Sequence, residues 1–223
     1  MATSIEPAEE VRRTFIPAAG HDWLLPFYDT FVKLLGGDEA RKALLDQAFI
    51  QSGHRVLDIG CGTGTLVVLI KRLHPDVDVV GVDPDPKALA RARRKAERAA
   101  VRIQLDQGFA DALPYREASF DRVFSSFMLH HLQDEEKGET LQQVRRVLKL
   151  GGSLHLLDFS GPESSAGGPL ARWFHSSHAI RDNSQDRILA LMCQAQLTDP
   201  KTVGNGAMLF GHMAYSYYRA SVA

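Results

Sequence analysis

From Arg55 onward, short apolar runs alternate with longer stretches of helical periodicity, the pattern of βαβ units that feed a parallel sheet. The spacing predicts strands at Val56 to Ile59, Val77 to Val82, Val101 to Leu105, Arg122 to Ser125 and Ser153 to Phe159. Val79, Val80 and Val82 form the continuous run of a strand buried on both faces, whereas Val101, Ile103 and Leu105 alternate strictly with polar residues. Helices are predicted between them at Thr65 to Leu73, Pro86 to Ala99 and Glu135 to Leu148. Asp85 is placed to cap the second, with Pro86 in the first turn where a missing N–H costs nothing, and Gly151-Gly152 reads as the stop of the third.

The flanks differ from this core. Residues 8 to 50 read as two or three helices around Trp23, Phe27, Tyr28 and Phe31, so residues 1–50 are expected to form a helical cap and 51–223 the α/β core of one structural domain. A Gly/Ser/Pro-rich loop, Gly161 to Pro169, precedes Trp173 and Phe174. A helix follows near Asp186 to Gln196, and Ala207 to Tyr218 is expected to supply one or two closing strands. The predicted fold is a Rossmann-like, doubly wound, mostly parallel seven-stranded sheet.

Composition narrows the partners more than the fold. A formal charge of −1 gives no field that would gather nucleic acid or anionic lipid. The basic run Arg91, Arg93, Arg94, Lys95 and Arg98 reads as a solvated helix face. Two cysteines, Cys61 and Cys193, suggest no disulfide framework, and nothing in the sequence approaches the ~18 apolar residues of a membrane span. The expectation is a cytoplasmic protein that binds a small molecule, with neither nucleic acid nor membrane insertion. His175 and His178 have metal-ligand spacing but no acid or thiol completes a set, so no metal is expected.

The chemistry concentrates in Val56-Leu57-Asp58-Ile59-Gly60-Cys61-Gly62-Thr63-Gly64, a strand running into a glycine turn and then a helix. Glycines let backbone approach a ligand without a Cβ in the way, a device shared by nicotinamide, flavin and other nucleoside folds. Here the spacing is G-x-G-x-G, and the dinucleotide fingerprint would need glycine where Thr65 stands. Asp58 at the strand end would repel a pyrophosphate but attract ammonium and sulfonium charges. Asp83, at the end of the second strand in Gly81-Val82-Asp83-Pro84, can accept two ribose hydroxyls.

These segments together resemble the class I S-adenosylmethionine-dependent methyltransferases, in particular the ubiquinone/menaquinone-methyltransferase-like small-molecule branch. The similarity runs from Arg55 to Phe159. It includes Gly108-Phe109-Ala110-Asp111-Ala112-Leu113-Pro114, Ser119-Phe120-Asp121-Arg122-Val123 and Leu148-Lys149-Leu150-Gly151-Gly152. The resemblance implies S-adenosylmethionine as cofactor, S-adenosylhomocysteine as product, and contacts from Asp58, Gly60, Cys61, Gly62, Gly64, Asp83, Pro84 and Ser125. Phe109 stands where the family often has an Asp that reads adenine, so adenine recognition is expected from the backbone of Phe109 and Ala110 with packing on Pro84. Tyr28-Asp29 resembles an element that closes over the methionine end.

Methyl transfer from a sulfonium needs alignment and exclusion of water, with a base optional. His130 and His131, after the fourth strand, are the candidate bases for a phenol, enol or ammonium acceptor. As neighbours on a helix, only one should face the site. An apolar acceptor pocket is expected between the cap aromatics, Phe127-Met128 and Trp173-Phe174. Two other readings stay open: a nicotinamide-dependent oxidoreductase, disfavoured by Asp58 and Thr65, and a non-catalytic module that binds S-adenosylmethionine.

Overall fold

The computed structural model describes residues 37–160, 183–208 and 213–223. Tyr28, the aromatics Trp23, Phe27 and Phe31, the Trp173-Phe174 pair and His175 with His178 lie outside those residues. Seven strands form one sheet in the order β3-β2-β1-β4-β5-β7-β6. They are β1 (Arg55–Ile59), β2 (Asp78–Asp83), β3 (Gln104–Gln107), β4 (Phe120–Ser126), β5 (Leu148–Phe159), β6 (Thr198–Met208) and β7 (Met213–Ser221). The first five pair in parallel, and β7 runs antiparallel to both β5 and β6.

Helices cover both faces. On one, α1 (Gly37–Asp46), α2 (Thr65–Leu73) and α3 (Pro86–Arg98) supply Leu44, Leu66, Ile70 and Leu89 to a core with Val56, Val79, Phe124 and Leu157. On the other, α4 (Asp134–Val147) and α5 (Gln185–Gln194) pack Leu141, Val144, Ile188 and Met192 against Leu57, Val80, Val123 and Leu156. Neighbours on a strand therefore serve different cores, which is why the central strands read as unbroken apolar runs. Val56 to Ile59 is buried throughout because β2 and β4 flank it while helices cover both faces.

The predicted Thr65 to Leu73 helix has those bounds. Asp85 caps α3, accepting from the backbone N–H of Lys87 at 2.8 Å, with Pro86 at the start. Arg93, Arg94 and Arg98 are exposed as expected, but Lys95 turns back to donate to Thr63 and Thr65 on the glycine turn.

Several boundaries differ, the closing strands beginning at Thr198 rather than near Ala207, and two of the differences have a plain cause. β3 starts at Gln104 rather than Val101, because the N–H of Val101 is already committed to Ala96 O at 3.1 Å, closing α3 through Ala100 at φ +52°. The alternating residues Val101 and Ile103 thus precede the ladder. Gly151-Gly152 does not stop α4, which ends at Val147 and passes directly into β5. The glycines sit inside β5, beside the register break opposite Phe120 and Arg122. Gly152 is confined there, since a Cβ would come within 2.8 Å of Lys149 O.

The sheet order reverses between β1 and β4. At such a switch point the connections leave in opposite directions and open a crevice beyond the carboxyl ends of the strands. The turns after β1, β2, β4 and β5 meet at that edge.

Candidate functional site

Asp58 is the last polar residue of β1 and faces the α1 side of the sheet, as alternation from Val56 requires. It is 1% exposed, and its Oδ1 has no hydrogen-bond partner among the described residues. Burial pushes its carboxyl up to about 8, with Arg41 pulling down and Asp83 pushing up. Asp58 does not cap α2, whose N-cap is Gly64 without a side-chain bond. A buried acid with an unsatisfied oxygen at a strand end is costly unless something cationic arrives.

The glycine turn encloses a definite space. Gly60 and Cys61 both donate to Val82 O, at 2.9 and 3.0 Å, which ties the turn to β2. Gly60 lies so close to Met128 that a Cβ would collide with its side chain. Gly64, at φ +80°, abuts Ala92 of α3, where a Cβ would come within 2.7 Å of the alanine methyl. Gly62, at φ +52°, is different: a Cβ there would meet nothing within 4 Å among the described residues. Its glycine leaves the open side of the turn clear. Cys61 is a buried small residue whose Sγ would contact any Cβ at Gly81, and burial raises its thiol well above the usual range.

Asp83 braces this turn against the next. Its Oδ2 accepts from the backbone N–H of Gly62 at 2.8 Å and its Oδ1 from that of Asp85 at 2.9 Å. Burial raises its carboxyl while those two donors lower it. Each oxygen keeps a lone pair for a further donor such as a ribose hydroxyl. Pro84 follows, its carbonyl accepting from Gln107 at 3.1 Å, and the half-buried Phe109 and Ala110 begin the short 3₁₀ turn after β3.

On the other side of the crevice, Ser125 is buried at the end of β4, paired with Ile59 and Leu156, and its Oγ has no partner among the described residues. Phe127 follows in a left-handed conformation at φ +55°, packed against Phe159 and Tyr215 with ring centroids 4.7 and 6.2 Å away. A bulky residue held there is strained, and such strain clusters at functional sites.

His130 and His131 lie on a 3₁₀ turn, Leu129–His131, rather than on a helix. Their rings sit side by side, centroids 4.0 Å apart. His130 binds Asp158 at the end of β5, its Nδ1 2.6 Å from Oδ1 and its backbone N–H 2.9 Å from Oδ2. Asp158 is fully buried and also accepts from the N–H of Phe159. As an acceptor-only carboxylate it places the His130 proton on Nδ1 and leaves Nε2 as the acceptor. Burial, reinforced by the neighbouring His130, lowers His131 to about 4, so it is neutral at pH 7.

Two residues at this edge were not singled out by sequence reasoning. Asp158 is the one acid among the apolar residues that close β5, after Leu156 and Leu157, and that is the signal. Arg41 lies on the inward stripe of α1 among Ala40, Leu44 and Leu45, a place where a charge is unusual.

The donor set fits a nucleoside with a cationic amino-acid end: a buried acid with an oxygen that has no partner among the described residues, a second acid with spare acceptor capacity, and a glycine turn between them. Among the described residues no group of three His, Cys, Asp or Glu could hold a metal, and no helix is long and apolar enough to cross a membrane.

Comparison with known proteins agrees with this geometry. A family model described as a methyltransferase domain matches residues 56–152. A demethylmenaquinone methyltransferase of Deinococcus radiodurans is 37% identical over 154 residues, covering 68% of this chain and 63% of that protein. The demethylmenaquinone methyltransferase of Thermus thermophilus is 37% identical over 152 residues, covering 67% and 68%. This chain therefore spans about two thirds of the length of these curated relatives. Among solved structures, phosphoethanolamine N-methyltransferase 2 of Haemonchus contortus in complex with S-adenosyl-L-methionine superposes with a TM-score of 0.79 at 16% identity, covering 92% of this chain and 58% of that one, which is a likeness of fold.

Proposed function

Because this chain belongs to the class I S-adenosylmethionine-dependent methyltransferases, we propose that it transfers a methyl group from S-adenosylmethionine to a small, partly apolar aromatic acceptor of the quinol or phenol class. The observation that carries the reading is the pair Asp58 and Asp83 at the ends of adjacent strands, one with an unpartnered buried oxygen and the other bracing the turn that Gly62 leaves open. Asp58 would hold the ammonium of the cofactor and Asp83 its ribose, with Gly60, Cys61, Gly62, Gly64 and Ser125 forming the turn and wall around it. Phe109, Ala110 and Pro84 would flank the adenine. When bound, the cofactor supplies a methyl group already activated on a sulfonium.

The quinol class rests on the names of the relatives and on the aromatic wall of Phe127, Phe159 and Tyr215, against which His130 packs with its ring 5.1 Å from that of Phe159. His130, oriented by Asp158, would accept the phenolic proton at Nε2 as the acceptor oxygen or the ring carbon beside it gains electron density. His131, neutral beside it, adds no competing charge.

Calorimetry with S-adenosylhomocysteine and, separately, NADH tests the cofactor. Binding of the first in the micromolar range, about −8 kcal/mol, with none of the second is expected. Radiolabelled S-adenosylmethionine incubated with a demethylated naphthoquinol then tests the acceptor. Binding of NADH but not of S-adenosylhomocysteine would overturn the reading in favour of an oxidoreductase, while cofactor binding without labelling of any phenolic compound would overturn the acceptor class.

A further inference from the structure

The formal charge of −1 conceals an uneven distribution. α3 carries Lys87, Arg91, Arg93, Arg94, Lys95 and Arg98 against the single acid Glu97, so this helix holds a local charge of +5 and the rest of the chain −6. Ala88, Leu89, Ala92 and Ala96 bury one side of it. Lys87, Arg91, Arg94 and Arg98 recur at i, i+4, i+7 and i+11 and form one row on the opposite side, about 16 Å long at roughly 1.5 Å per residue. Arg94 and Arg98 are exposed, Arg93 flanks the row, and Arg102, also exposed, follows the helix.

The fold does not offset this row. Among the described residues none of Arg91, Arg93, Arg94, Arg98 and Arg102 forms an ion pair, not even with Glu97 on the same helix. The guanidinium of Arg94 donates to Ala90 O, at 3.3 Å, within its own helix. Like charges three and four apart weaken a helix, so the row costs α3 stability rather than supplying it. The acids Asp134, Glu135, Glu136 and Glu139 lie on α4, across the sheet, farther from the row than the roughly 8 Å over which charges act at physiological ionic strength. An anionic surface facing α3 would therefore meet the basic row and little of the opposing charge.

We propose that the outer face of α3 docks the protein on an anionic lipid bilayer. A cluster of Lys and Arg on one helix face is the charge pattern that anionic headgroups attract. The association is electrostatic, because the apolar side of α3 is already packed on the core and does not insert. No aromatic side chain stands between Lys87 and Arg102 to stack a base, and the row has no Asn or Gln to read one, so nucleic acid fits it less well. α3 begins at the Asp83–Asp85 turn, on the sheet edge that carries the candidate site, so a bilayer lying along the row would border the crevice. The choice of lipid also rests on the partly apolar acceptor proposed above, a compound that concentrates in a bilayer. The charged row does not depend on that reading.

Flotation of the full chain with vesicles, without cofactor or acceptor, tests the proposal. Vesicles of phosphatidylcholine with roughly a third phosphatidylglycerol should carry the protein, vesicles of phosphatidylcholine alone should not, and salt should release it. The double variant Arg94→Gln/Arg98→Gln should partition roughly 20-fold more weakly, each charge near the surface being worth about fivefold. Arg94→Lys/Arg98→Lys, which keeps the charge, should float like the parent. Arg145→Gln/Lys201→Gln removes the same charge from α4 and from β6, the sheet edge farthest from α3, and should stay within about twofold of the parent because those sites lie beyond the screening length. Thermal unfolding checks that each variant is folded, and the parent's preference between the two kinds of vesicle remains decisive for one that is not. Equal partitioning on both vesicles, or a folded Arg94→Gln/Arg98→Gln that floats like the parent, overturns the proposal. Tighter binding to a short DNA duplex than to the anionic vesicles overturns it in favour of nucleic acid. Failure of flotation leaves the methyltransferase reading intact, and failure to label a phenolic acceptor leaves the flotation result standing.

Discussion

At the scale of single residues, the proposed site is a set of buried charges whose cost a ligand would offset. Asp58 shows this best. With its carboxyl raised to about 8 by burial, it is mostly protonated at pH 7, and an incoming ammonium would favour the ionised form and release the proton. Calorimetry of S-adenosylhomocysteine in buffers of different ionisation enthalpy should therefore register release of about one proton per site. Asp58→Asn should release none and bind at least tenfold more weakly, as expected for about 1.5 kcal/mol or more lost with a charge-assisted bond. His130 is proposed for the chemistry rather than for binding. His130→Gln should lower kcat by roughly 10²-fold or more, in keeping with loss of a general base, and leave the affinity for S-adenosylhomocysteine within about twofold. A parallel loss of both would make His130 a structural residue. Asp58 and Asp83 were legible in the sequence because acids at the ends of apolar runs are conspicuous. Arg41 and Asp158 were not, because Arg41 stands among Glu39 and Lys42 and Asp158 shares its strand with His155, and only the fold reveals which polar residues meet at one edge.

At the scale of elements, the turn between β1 and α2 divides its glycines by task. Gly64 is confined by Ala92 and Gly62 faces open space, although both have positive φ. Gly64→Ala combines backbone strain with overpacking against α3 and should destabilise by roughly 2–4 kcal/mol. Gly62→Ala carries only the backbone term, about 1 kcal/mol, so it should fold, yet its methyl would intrude where the ligand approaches. The pair is separated by denaturant unfolding and calorimetry: a stability loss without a specific binding defect for the first, the converse for the second. Equal stability losses would mean the open side of the turn is not the ligand side. The glycine spacing announced this turn, but not which glycine serves packing. The start of β3 and the place of Gly151-Gly152 were missed for a related reason. Alternation and glycine pairs report local preference, whereas the ladder begins where backbone donors are free, and Val101 had already spent its own on α3.

At the scale of the whole molecule, the buried titratable groups make stability depend on pH in a way that the nearly balanced net charge does not suggest. His131 and His155 are lowered to about 4 and about 3; burial is the main cause for both, helped by His130 in the first case and by Arg122 and Arg219 in the second. Between those values and the ordinary 6.5, the unfolded chain binds protons that the folded chain refuses, so stability rises with pH. Asp58 acts in the opposite sense. From the ordinary 3.8 up to about 8 the folded chain holds a proton that the unfolded chain has lost, so its contribution is full below 3.8 and declines as pH rises. Up to pH 6.5 the lowered histidines, His54 among them, outweigh the raised acids Asp58 and Asp83; above it the raised acids act without them until the raised Cys61 thiol extends the decline beyond 9. The ligand-free chain should therefore be most stable near pH 6.5, losing on the order of 2–4 kcal/mol toward pH 4 and roughly 1–2 kcal/mol toward pH 8, at about 1.4 kcal/mol per proton and pH unit. Thermal unfolding across pH 4–9 checks the shape. Asp58→Asn should flatten the limb between 6.5 and 8 and leave the acid limb standing, and saturating S-adenosylhomocysteine, by holding Asp58 ionised, should do the same. A Tm that rises steadily from pH 6.5 to 8 would show that Asp58 is ionised in the ligand-free fold, and the proton release on binding would then vanish with it.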